Sequence, residues 1–214
     1  MPRKTTKQDA SSSPEFMLEE YKMLRERYHS VRNEGINRVN LLFTVTSAVL
    51  GGILLFDSKN STFSSSFFQL VLIVLLSILA FVAHDIYLFM IARDRVSDRV
   101  ERGMARVRRY FVERDKNLQD FITYPITDNP THNLSRPSMG LRRSVQVIES
   151  FFITLIICVI ANIFMLQFEI ILFVGGVGFV LIFSILHYLS RRTLRKEMES
   201  VARFMKFPPT EGKL

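Results

Sequence analysis

Apolar residues along this chain gather into four blocks, at 39–56, 67–92, 145–168 and 170–189, with polar and charged stretches between them. A hydrocarbon layer of about 30 Å is crossed by roughly 20 helical residues. Each block reaches that length with some tilt to spare. The pattern predicts an all-α, polytopic membrane protein with four transmembrane helices, and a bilayer as its first partner.

The polar stretches carry a different period. Met17, Tyr21, Leu24, Tyr28 and Val31 recur at alternating steps of four and three, with charged residues on the other faces. Val96, Val100, Met104, Val107 and Phe111 also repeat at steps of three or four, and Leu194, Met198, Val201 and Met205 at four, three and four. Narrow apolar stripes of this kind belong to helices that pack on other helices. Each stripe is too short to be stable alone. A helical bundle outside the membrane, or a coiled coil between subunits, is therefore expected, in preference to helices lying flat in the headgroups. No proline falls between Phe67 and Tyr124, so one helix is predicted from Phe67 to Val112. Gly35 is expected to loosen the junction between the first stripe and the first span.

These elements divide the chain into a disordered tail (1–15), an amphipathic helix (16–37) and a first transmembrane hairpin (38–92, loop 57–66). A helix and proline-containing linker (93–144), a second hairpin (145–190, turn 167–169) and a C-terminal helix and tail (191–214) follow. Pro125, Pro130 and Pro137 keep the linker from being helical, and its Phe121 and Tyr124 are placed to dock on the bundle. His132 there is expected in solvent.

Charge fixes the orientation. The formal net charge is +8, and all but one of the 28 Lys and Arg lie in residues 1–38, 93–143 or 191–213. Lys and Arg accumulate on the cytoplasmic side of spans. Both termini and the central linker are thus expected in the cytoplasm, in a multi-pass protein of the cytoplasmic membrane. This sorting accounts for the basic balance without a nucleic-acid partner. The clusters of Arg106, Arg108 and Arg109 and of Arg191, Arg192, Arg195 and Lys196 are expected to meet anionic lipid headgroups.

Polar residues inside the blocks are the candidate functional groups. His84 and Asp85 lie late in the second block. Counted along the chain, Asn40, Glu149 and His187 lie at a similar depth on the other three spans, with Thr44 and Ser150 beside them. The five could form a ring at the inner end of the bundle. Such a ring serves either as an ion or proton path with a histidine switch, or, more economically, as an interfacial belt that fixes helix register. Asn162 is the strongly polar side chain expected near mid-depth, hydrogen-bonding to another helix. Ser47, Ala48, Gly51 and Gly52 on the first span, and Gly175, Gly176 and Gly178 on the fourth, are small residues of the kind that let helices approach closely.

Other chemistry is not visible. The chain shows no phosphate-binding loop, nucleophile elbow, zinc-protease motif or dinucleotide turn. Cys158 is the sole cysteine, which excludes an intramolecular disulfide and a cysteine zinc cluster. No enzyme activity, cofactor or metal is expected. Asn60-Ser61-Thr62 matches a glycosylation sequon beside the membrane.

The first half of the chain, about 17–112, has a helix, two spans with a short loop and a long following helix. That layout resembles the SLATT-type small membrane proteins of bacteria, although this chain adds a second hairpin. The resemblance implies oligomerisation and membrane permeabilisation. The expected function is a homo-oligomeric channel or pore-type effector gated through the cytoplasmic helices. A non-conducting scaffold that recruits a cytoplasmic protein is the alternative, and a small-solute transporter the third reading.

Overall fold

The computed structural model describes residues 9–59, 65–127, 140–164 and 166–203. Four α-helices carry nearly all of them: α1 (Asp9–Lys59), α2 (Ser65–Arg114), α3 (Leu141–Ile163) and α4 (Phe168–Arg203). A six-residue 3-10 helix, Lys116–Phe121, follows α2, started by the Asp115 carboxylate accepting from the Asn117 amide at 3.0 Å. All four α-helices are long and apolar enough to cross a membrane.

The predicted long helix is present and slightly longer than expected. Three other boundaries move. Helix α1 begins at Asp9, inside the expected tail, and continues through Gly35, which is buried. Glycine weakens a helix by only about 1 kcal/mol relative to alanine, and burial of Val39 and Leu42 one turn later outweighs that. The loop between α1 and α2 is shorter than 57–66, because α1 runs to Lys59 and α2 starts at Ser65. The turn between α3 and α4 lies before Phe168, not at 167–169: α3 ends at Ile163, and the Ile171 amide already donates to Gln167 at 3.1 Å. The sequon, His132, Pro130 and Pro137 lie outside the described residues.

Two compact units result. The first comprises residues 1–33, 93–136 and 195–214. In it the apolar stripes of α1 and α2 face each other, and Leu24 fills the space beside Gly103, where a Cβ would lie 3.1 Å from Leu24 Cδ1. Val100, Met104 and Val107 are buried there. Ser13 and Tyr110 hydroxyls lie 2.7 Å apart, and Arg95 Nε approaches Glu197 Oε2 at 3.8 Å. Leu24 of the α1 stripe thus packs on α2, while Met17, Tyr21, Tyr28 and Val31 stay half-buried. Of the linker aromatics, Tyr124 lies under Arg108 at 5.5 Å, whereas Phe121 is exposed. Arg108 donates to the Pro125 carbonyl and Arg109 pairs with Glu113 at 2.7 Å. Arg106, Arg191, Arg192, Arg195 and Lys196 are exposed, as headgroup contacts would require.

The second unit comprises residues 34–92 and 137–194. Its core is built from Leu42, Leu76, Leu79, Met90, Val145 and Phe152. Large apolar side chains such as Phe81, Phe173, Val180 and Ile185 point outward. In water they would favour aggregation; in lipid they cost nothing.

Candidate functional site

The apolar unit turns one polar face inward. On α3, Arg142, Gln146, Glu149, Ser150 and Thr154 recur at helical spacing and are all buried. Most of their hydrogen-bonding capacity is met within the unit. Gln146 Nε2 donates to the Phe183 carbonyl at 2.9 Å, Ser150 Oγ to Gln146 at 2.8 Å and Thr154 Oγ1 to Ser150 at 2.7 Å. On α2, the Tyr87 hydroxyl donates to the Leu186 carbonyl of α4 at 2.7 Å.

Glu149 is the exception. Its Oε1 lies 2.7 Å from His84 Nδ1, while its Oε2 is buried with no hydrogen-bond partner among the described residues. The Glu149 side chain is 2% exposed and the His84 side chain 48%. An isolated acid at this depth would cost about 3 kcal/mol. A histidine holding one oxygen offsets that cost, either as an imidazolium donating to a carboxylate or as a neutral ring accepting from a protonated carboxyl.

The rest of the expected ring does not assemble. Asp85 and Asn40 are exposed, and the Asn40 carbonyl accepts from Thr44 Oγ1 at 3.0 Å. His187 stacks on Phe183 with ring centroids 6.2 Å apart. Equal depth put these groups on one level, but helical phase aims them away from one another. Asn162 also departs from expectation. It is exposed and is the penultimate residue of α3, at the end remote from Arg142. With the helix ending at Ile163 rather than at 168, it falls at the far end of the span and not at mid-depth.

The small residues divide the same way. A Cβ on Gly175 would meet Cys158 Sγ at 2.8 Å, so α4 approaches α3 as closely as glycine permits there, and Gly178 sits 3.9 Å from Ile157 by the same measure. Gly51, Gly52 and Gly176 have open space, and Ser47 and Ala48 are exposed. The first-span group therefore does not serve packing within one chain.

That exposed group is part of a longer stripe. Asn37, Asn40, Thr44 and Ser47 are exposed and step onward to Gly51 at intervals of three, four, three and four. The opposite face of α1, with Gly35, Val39 and Leu42, is buried. So α1 presents these polar positions outward, interleaved with the exposed apolar Leu41, Phe43 and Val45. It is also the least apolar of the four candidate spans.

The residues missed from sequence are Arg142, Gln146, Thr154 and Tyr87. The first three share the helical phase of Glu149 and Ser150, a signal present in the sequence. Nothing local marked Tyr87, whose partner is a backbone carbonyl 99 positions away. Among the described residues no His, Cys, Asp and Glu cluster could hold a metal. Comparison with protein-family models, curated proteins and solved structures finds no match to this chain.

Proposed function

We propose that this chain forms a homo-oligomeric pore in the cytoplasmic membrane, lined by the polar face of α1. The observation that carries the reading is the stripe of exposed Asn37, Asn40, Thr44 and Ser47, running on to half-buried Gly51, on the least apolar span. Polar side chains within a span face a partner helix or a water-filled path, seldom lipid. In one copy the stripe faces neither. A ring of copies with α1 innermost gives it water, and the outward-facing Phe81, Phe173 and Val180 then meet lipid.

The arginine and lysine distribution supports a topology with both termini and the polar unit in the cytoplasm. The activity is permeation, without catalysis or a cofactor. The layout of residues 17–112, similar to SLATT-type proteins, supports the same reading. A recruiting scaffold is less well supported, because the α2 stripe that would offer a docking face is largely buried within the chain, at Val100, Met104 and Val107.

The test is ion flux from liposomes. In a Cys158→Ser background, single cysteines at positions 40, 44 and 47 are expected to let a water-soluble thiol reagent block the flux. Cysteines at Val39 and Leu42, on the buried face, should not. Folded, oligomeric protein that conducts nothing would sink the proposal.

A further inference from the structure

The polar unit contains a cleft of about 800 Å³ between α1, α2 and the segment after the 3-10 helix. Its lining is unusual in combining cations with planar rings. From α1 come Tyr21, Arg25, Tyr28 and Arg32, at steps of four, three and four, so that rings and guanidinium groups alternate on one face. Neither Arg25 nor Arg32 has a carboxylate at ion-pair distance among the described residues. Both are exposed at the cleft.

The opposite wall is held in place. Arg108 reaches the Pro125 carbonyl through Nε at 3.2 Å and Nη2 at 3.1 Å, and covers the Tyr124 ring. Arg102 pairs with Asp98 at 2.7 Å and keeps its Nε unpartnered among the described residues. The cleft's carboxylate, Glu101, is half-buried beside Tyr28. Among the described lining residues, Arg25, Arg32, Arg102 and Arg108 stand against this one carboxylate, so the net charge facing the cavity is positive.

We propose that this cleft binds a mononucleotide: a small anion with phosphate for Arg25 and Arg32 and a planar base for the tyrosine rings. Guanidinium groups bind phosphate with charge-assisted, often bidentate hydrogen bonds. Aromatic faces stack bases. Small-molecule sites span roughly 300–1,000 Å³, so the volume suits a nucleotide and leaves bare phosphate most of the space unfilled. An anionic lipid headgroup shares the phosphate but lacks the ring. The inference stands apart from the pore reading, since binding needs no conduction.

The experiment is calorimetric titration of the full chain in zwitterionic nanodiscs with AMP and GMP, beside ribose 5-phosphate. Saturable nucleotide binding is expected, with ribose 5-phosphate weaker by about tenfold or more, the loss a stacked base predicts. Arg25→Glu and Arg32→Glu should each weaken nucleotide binding about tenfold or more, as loss of a charge-assisted contact implies. Both side chains are exposed, and unchanged helical circular dichroism would verify that the variants fold. Tyr28→Leu should weaken the nucleotides while leaving ribose 5-phosphate unaffected. No saturation by either nucleotide would overturn the proposal. So would equal affinity for ribose 5-phosphate, equal affinity in the arginine variants, or competition by phosphatidylglycerol nanodiscs that abolishes nucleotide binding.

Discussion

Glu149 shows how much one contact can matter in an apolar unit. Removing its partner leaves a buried carboxyl with no hydrogen bond on either oxygen. His84→Ala is expected to destabilise the protein by about 1–3 kcal/mol. In a Glu149→Leu background the same change should cost little, because nothing is left unpaired. Denaturant unfolding in detergent of the four variants measures the coupling; equal losses in both backgrounds would show that His84 acts by packing alone. Glu101 supplies a pH dependence of its own. Burial raises its carboxyl above the ordinary range, as does nearby Asp98, while the Tyr28 hydroxyl and Arg108 pull it down. Because the folded value lies above the unfolded one of about 4.3, its share of stability is full in acid. It is lost as pH rises through the folded value. The polar unit should thus resist thermal unfolding better at pH 4 than at pH 8 through this group, and Glu101→Gln should flatten that part of the profile.

Among the elements, the spans and long helices were legible because apolar length and helical period are local properties. The absence of proline sufficed to draw α2 almost to its ends. Boundaries failed where burial outweighs propensity, as at Gly35, or where a helix ends five residues sooner than its apolar block, as at Asn162. Of the candidate ring, depth was readable and phase was not. Only His84 and Glu149 meet, because a partner 65 positions away is set by how the helices rotate against one another. The close approach of α3 and α4 is a testable consequence of that rotation. Gly175→Ala places a methyl 2.8 Å from Cys158 Sγ, and should cost about 1–3 kcal/mol. Adding Cys158→Ala should recover much of the loss. Gly176→Ala and Gly51→Ala, with open space, should be neutral or gain slightly from helix propensity. The comparison is made by thermal unfolding of the four glycine variants.

For the whole molecule, the charge asymmetry predicts topology. Cysteines introduced at Asp115 or Thr127 in a Cys158→Ser background should resist an impermeant reagent added to intact cells and react once the membrane is opened. A cysteine at Gln167, in the turn between α3 and α4, should react from outside. The reverse pattern would invert the molecule and put the polar unit, with its arginine–tyrosine cleft, on the external side.

The pairing of His84 with Glu149 also bears on the order in which the protein is made. His84 belongs to the hairpin that leaves the ribosome first, and Glu149 to the helix that follows. When the acid reaches the translocon, its neutralising partner is already in the bilayer. The second hairpin synthesised alone would have to admit Glu149 unaccompanied, along with Gln146 and Arg142 from the same face. It should therefore insert less efficiently by itself than behind the first, and supplying the first hairpin as a separate chain should restore much of the yield. The sequence of synthesis would then be part of what makes a buried acid tolerable.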